Sequence, residues 1–277
     1  MNQQIIKIAI LNLYEGTENQ GMRCLREIIH DFSTTNNITL QLEEFDVRLL
    51  KETPGTEFDL YISTGGPGNP MHSENSDWEN IYFEWLTSMI HFNENEKNHI
   101  KKNIFFICHS FQLACRYFNV AQVIKRKSTS FGVFPVHFIE ENINDVIFSG
   151  LSNPFYAVDN RDYQVVQPNE INMKKVGAKI LAIEKDRPHV QYERAIMAMR
   201  FNKNMIGTQF HPEADSIGMT KYLSAGEKKT LVIQNYGEEK WKSMIDQLND
   251  PEKISLTHDS ILPAFLQLSI LNHSDES

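Results

Sequence analysis

Cysteine is scarce in this chain: Cys24, Cys108 and Cys115 are the three among 277 residues. Three cysteines cannot build a disulfide framework, and with no Cys-x-x-Cys or His-Glu-x-x-His pattern no metal site is expected. No apolar run approaches the ~18 residues of a membrane-spanning helix. Residues 1–7 lack a basic segment leading into a long apolar stretch, so export is not expected. Basic residues are outnumbered, 27 Lys and Arg against 36 Asp and Glu, giving a formal charge of −9. A protein gripping a phosphate backbone would need a basic face, so nucleic acid is not an expected partner. Aromatic residues, by contrast, are plentiful, with 17 Phe, 9 Tyr and 3 Trp, which separates the chain from disordered sequences. The starting expectation is a reduced, cytoplasmic α/β protein without metal or cofactor, acting away from membranes.

At roughly 150 residues per domain, the length allows one large α/β domain or two small ones. Residues 5–13 form an almost continuous apolar run, as in a strand covered on both faces. Met22, Leu25, Ile29 and Phe32 then recur at helical spacing. Further strands are expected at 38–42, 58–63 and 104–107. A helix carrying Trp78, Ile81, Trp85 and Met89 precedes the last of these, with Asp77 in its first turn, and another helix covers 111–118. Strand and helix alternating in this way predict a doubly wound, mostly parallel sheet flanked by helices, flavodoxin-like. Between 133 and 210 the pattern changes to strands without intervening helices, which predicts a small antiparallel appendage followed by a return to the main sheet. Helical periodicity returns from Met219, with Trp241, Met244, Ile245 and Leu248 on one stripe. A last helix is expected to begin near Asp259, which would leave Pro263 in its first turn. The expected division is a domain over residues 1–218 and a helical extension over 219–277.

Three short segments could carry chemistry. Cys108 stands where the 104–107 strand meets the next helix. A thiol there is exposed at the carboxyl edge of the sheet and feels the positive end of a helix dipole. Taken alone, Cys108 fits a buried structural cysteine equally well. A thiolate needs a base, and the base an orienting group. Among ten histidines, His211 is distinctive because it follows an apolar strand and is followed by Pro212 and Glu213. Glu213 could accept a hydrogen bond from the imidazole and fix its tautomer, completing a Cys-His-Glu triad. Gly65-Gly66-Pro67-Gly68 after the 58–63 strand could turn a backbone amide toward a ligand. With the amide after Cys108 it would form an oxyanion hole. No Gly-Lys-Ser/Thr follows, so it is not a phosphate-binding loop.

Gly-Gly-Pro-Gly, an elbow cysteine with Gln112 four residues on, and His211-Pro212-Glu213, in that order, resemble the class I (triad) glutamine amidotransferases. The likeness leans toward the glutaminase domain of GMP synthase-like proteins and runs over roughly residues 5–217. The resemblance implies Cys108 as nucleophile, His211 as base and Glu213 as its orienter. It further implies Gly66 and His109 as oxyanion donors and Gln112 as a substrate contact. Phe131-Gly132 resembles the family's glutamine-holding segment, and Asn160-Arg161-Asp162 falls where the family has a Ser-His-Gly-Asp motif. The elbow itself departs from Gly-x-Cys-x-Gly, reading Phe106-Ile107-Cys108-His109-Ser110. The implied activity is hydrolysis of glutamine's side-chain amide through a glutamyl thioester. Ammonia would pass to a separate synthetase or acceptor subunit, since no nucleotide-binding loop follows His211. Two alternatives stay open: a γ-glutamyl hydrolase acting on a larger γ-glutamyl amide, and a non-catalytic regulatory relative. The C-terminal helices would pack on the domain or, in a homodimer, on a second copy.

Overall fold

A strand that is buried on both faces must be apolar at successive positions, and β1 (Ile5–Asn12) meets that condition. Ile8 and Ile10 point into one core while Ala9 and Leu11 point into another. The same division by alternate residues runs through β3 (Leu60–Ser63) and β4 (Asn103–Ile107): Ile62, Phe105 and Ile107 lie on one side, Tyr61, Ile104 and Phe106 on the other. The computed structural model describes residues 5–17, 19–139, 144–188, 193–248 and 250–274.

Helix α1 (Gln20–Asn36) covers the first face with Met22, Leu25, Ile29 and Phe32. Asn19 caps it, accepting from the Met22 amide at 3.0 Å. Helices α2 (Asp77–Glu94) and α3 (His109–Tyr117) cover the second face through Tyr82, Trp85, Leu86, Met89, Phe111 and Leu113. The remaining elements are β2 (Thr39–Asp46), β5 (Gln122–Phe138), β6 (Phe155–Val166), α4 (Glu170–Val176), β7 (Lys179–Glu184), β8 (Ile196–Asn202), β9 (Met205–Thr208), α5 (Ser216–Ser224), α6 (Gly226–Tyr236), α7 (Glu238–Leu248) and α8 (Leu256–Ser274). The strands form one sheet in the order β2-β1-β3-β4-β9-β8-β7-β5-β6. The first five are parallel and the others antiparallel. The antiparallel portion is therefore a hydrogen-bonded continuation of the main sheet. It curls back far enough for the His211 amide to donate to Val158 O of β6 at 2.9 Å.

Pro263 lies well inside α8, which starts at Leu256 and not near Asp259. Interior proline costs a helix about 3 kcal/mol. Ile261, Leu262, Phe265 and Leu266 of the same helix are buried in the first core, each contributing about 1.5–3 kcal/mol, and burial outweighs the break.

Phe106, bulky where the resembling family has glycine, finds its room across the sheet. It pairs in register with Gly207 of β9 and packs on Phe201 at 5.7 Å between ring centroids. A Cβ on Gly207 would lie 2.8 Å from Phe111 Cδ2 and 3.0 Å from both Phe106 Cβ and Phe106 O. Gly207→Val is thus expected to destabilise the protein by about 1–3 kcal/mol through overpacking, read as a lowered thermal midpoint. An unchanged midpoint would show that the space beside Phe106 is slack.

Candidate active site

The carboxyl edges of the parallel strands meet at the start of α3. Because β4 and β9 are neighbours, with Ile107 opposite Thr208, the residues that follow both strands emerge side by side. Cys108 follows one and His211 the other. Cys108 sits at φ 49°, ψ −96°, a left-handed conformation rarely adopted by a side-chain-bearing residue, costing of order 1–3 kcal/mol. Two anchors hold it. Its amide donates to Thr208 O at 2.7 Å. Buried Ser110 accepts from the Ile107 amide at 2.8 Å and donates to Ser63 O at 2.7 Å, tying the elbow to β3.

His211 Nδ1 lies 2.8 Å from Glu213 Oε1, and Glu213 is buried. Gly65 leaves the space in which imidazole and thiol meet: a Cβ there would lie 3.0 Å from His211 Cε1 and 3.7 Å from Cys108 Cβ. Burial alone would lower the imidazole's pKa. The Glu213 charge and hydrogen bonding to Cys108 and Glu213 outweigh burial and hold it well above the ordinary value. Adjacent His109 behaves in the opposite way. Burial, with Arg48 and Arg116 nearby, pushes it down to about 3, so it stays neutral and is no competing base. His258 of α8 places Nδ1 3.0 Å from Glu213 O and braces the backbone of the pair.

These groups open into a cavity of about 650 Å³ lined by, among others, Gly66, Cys108, Phe131, Asn160, His211 and Glu213. Gly66 approaches β1 closely, since a Cβ there would lie 2.5 Å from Leu13 O, which places its backbone at the cavity wall. His109 is the first residue of α3, where helix amides have no intrahelical acceptor.

The other expected substrate contacts divide. Asn160 lines the cavity, and its carbonyl lies 3.9 Å from Cys108 Sγ. Arg161 and Asp162 do not line it. Arg161 is buried against Asp159 at 2.9 Å and Glu184 at 3.3 Å, while Asp162 is exposed and accepts from Thr129 at 2.5 Å. Alternate residues of a strand face opposite ways, which separates Arg161 from Asn160. Phe131 lines the cavity, whereas Gly132 at φ 137° admits α7: a Cβ there would lie 3.0 Å from Met244 Cε. Gln112 is buried behind the thiol. It donates to Gln209 Oε1 at 3.0 Å, and Gln209 Nε2 in turn points at Cys108 Sγ at 3.7 Å.

Residues at the site that were not read from sequence include His258, described above, and two others. Gln209 is one, although it belongs to the segment before His211. Tyr14, just beyond β1, is the other: a Cβ on Gly21 would lie 2.5 Å from its hydroxyl and 3.2 Å from Glu213 Oε1. Its pKa is raised by burial and by the charges of Glu213, Cys108 and Cys24, so it remains a neutral phenol. Nothing in the local pattern around Tyr14 marks it; its place depends on the room left by Gly21 of α1 and by Gly65 after β3. Among the described residues no group of three or more His, Cys, Asp or Glu could hold a metal ion, and no helix is long and apolar enough to cross a membrane.

An elbow cysteine and a histidine–carboxylate pair at the carboxyl edge of an open α/β sheet define a thiol-site α/β protein. The family model for class-I glutamine amidotransferases matches residues 11–226, and the chain belongs to that family. No match was found among curated proteins. Among solved structures, a glutamine amidotransferase from Thermotoga maritima is similar at TM-score 0.66 and 15% identity, over 96% of this chain and 98% of the other. The glutaminase domain of Trypanosoma brucei CTPS with bound acivicin is similar at TM-score 0.52 and 17% identity, over 75% and 86%. A GMP synthase-like protein from Thermoplasma acidophilum is similar at TM-score 0.50 and 17% identity, over 76% and 86%. At these identities the likeness concerns the fold, which the first of them shares through the C-terminal helices.

Proposed function

We propose that this protein is a thiol amidohydrolase that cleaves the side-chain amide of glutamine, or of a γ-glutamyl compound, through Cys108, His211 and Glu213. The observation that carries this reading is the 2.8 Å His211–Glu213 contact beside a cysteine on a strained elbow. With the thiol's proton carried by His211, the Cys108 thiolate attacks the γ-carbonyl carbon, and the oxyanion is held by the amides of Gly66 and His109. His211 delivers a proton to the departing nitrogen, the C–N bond breaks, and a glutamyl thioester remains on Cys108. Water then loses a proton to His211, attacks the thioester and releases the γ-carboxylate, restoring the thiol. When glutamine is the substrate, the ammonia goes to a separate acceptor protein. Gln112 acts here through Gln209 on the thiol, a positioning role in place of substrate contact. The 1–218 segment is the catalytic unit in this proposal, and the helices after it support the site.

The test is a pair of variants assayed for ammonia release from glutamine. His211→Asn is expected to cost about 10⁴-fold or more, since members of a triad act as a unit. Glu213→Gln is expected to cost less, because an imidazole is still present. Equal, mild losses would show that some other histidine serves.

The pH profile gives an independent reading. His211 is held above an ordinary value of about 6.5, so its proton, and the stability of its pairing with Glu213, persist below that value and are lost as pH rises through the raised one. The alkaline limb of kcat/KM is expected well above pH ~6.5 and should move to lower pH in Glu213→Gln, which removes the partner charge. A limb that does not move would detach Glu213 from the titration.

A further inference from the structure

The cavity is larger than glutamine requires, and its far wall is of the wrong character for ammonia. Its volume of about 650 Å³ falls within the ~300–1,000 Å³ range of pockets that hold drug-sized ligands. Besides Cys108 and His211, its lining includes Val158, Phe131 of β5, and Met219 and Tyr222 of α5. Phe131 and Tyr222 stand with ring centroids 5.7 Å apart, giving two aromatic faces on one wall. This wall is built and fixed. Asp215 caps α5 through the Gly218 amide at 2.6 Å and pairs with Arg23 of α1 at 2.7 Å. Trp241 of α7 donates to Leu223 O at 3.1 Å and holds the other end of α5.

The direction of the wall from the reacting centre follows from the chemistry. His211 must reach the departing nitrogen, and its amide is bonded to Val158 O; Phe131 pairs in register with Asn160, whose carbonyl lies 3.9 Å from Cys108 Sγ, so the aromatic wall stands close to the thiol. With Phe131 assigned to the amine in place of the glutamyl end, a substituent on that nitrogen extends toward Phe131, Met219 and Tyr222. Ammonia would leave this surface unused. A flat apolar amine would stack on it, gaining ring–ring contact beyond the area it buries.

We infer that the preferred substrate is a γ-glutamyl amide of an aromatic amine, bound with its ring against Phe131 and Tyr222. This rests on the amidohydrolase reading above and names the substrate class for the same site. The step balances as before: the C–N bond breaks, the amine leaves with the proton from His211, and water supplies the oxygen of the γ-carboxylate.

The experiment compares kcat/KM for L-γ-glutamyl-benzylamide, L-γ-glutamyl-methylamide and glutamine, using the full chain. The first two are both alkylamides, so their difference reports the ring and not the reactivity of the bond. Benzylamide is expected to exceed both others by about tenfold or more, the scale that a hydrophobic subsite supports. Phe131→Ala and Tyr222→Ala should each reduce the benzylamide-to-methylamide ratio about tenfold, and Tyr222→Phe should preserve it. Because the outcome is a ratio, it does not depend on the fraction of protein that is folded. Glutamine cleaved as well as benzylamide, or a ratio indifferent to both alanine variants, would overturn the inference while leaving the amidohydrolase reading intact. No turnover of any of the three amides would overturn both.

Discussion

Cys108→Ala is expected to remove turnover, by about 10⁴-fold or more, and to abolish covalent labelling by an electrophilic glutamine analogue. The argument is one of elimination among three thiols. Cys115 is buried in the second core against the sheet, and burial holds its pKa well above the ordinary thiol value. Cys24 borders the cavity but is pushed up to about 12, chiefly by burial and by the charge of Asp215. Both remain protonated at neutral pH, and the thiolate is the reactive form. Cys108 alone stands at the strand–helix turn, beside an imidazole and at the end of a helix. Intact-mass measurement after labelling decides the matter. Adduct persisting at Cys24 or Cys115 in the variant would sink the assignment of the nucleophile.

Deleting residues 237–277 is expected to do more than weaken the protein: the remainder should fail to fold as a soluble chain, although every proposed catalytic residue lies upstream. Phe265 of α8 packs on Phe105 at 5.3 Å between centroids, directly beneath the strand that carries Cys108. Ile261, Leu262 and Leu266 are buried with it, and Met244, Leu248 and Ile254 cover Val133 and Val158. At about 1.5–3 kcal/mol for each of these buried side chains, the loss is as large as the ~5–15 kcal/mol by which a domain is stable. Soluble yield and a thermal melt are the measurements. A soluble truncated protein with an unchanged midpoint and unchanged activity would show that the tail is dispensable.

Gln209 shows how a site residue can be in plain view and still escape notice. It directly precedes Phe210 and His211, yet it acts on Cys108 only because β4 and β9 lie side by side, and it is held by Gln112 from a helix some hundred residues away. Arg161 gives the converse case. In a motif read along the chain it stands beside Asn160, but the pleat of β6 turns it inward to a buried ion-pair network of Asp159, Glu184 and Arg126.

Local chemistry was legible from the residues themselves. Nearly continuous apolar runs along 5–13 and 104–107 record burial on two faces, and helical spacing in Met22, Leu25, Ile29 and Phe32 records one buried stripe. The positions of Cys108 and of His211 with Glu213 at strand ends were legible for the same reason: each depends on a few neighbouring residues and on one strand's direction. Partnership across long separations was decided by the tertiary structure. Gly207 makes room for Phe106, Gly65 makes room beside Tyr14, and Met244 closes on Gly132. The antiparallel strands join the main sheet in one continuous order. The physical reason is that steric fit and register are properties of pairs of segments. A residue's own neighbours in the chain specify its element and its face, but not which distant atom will lie against it.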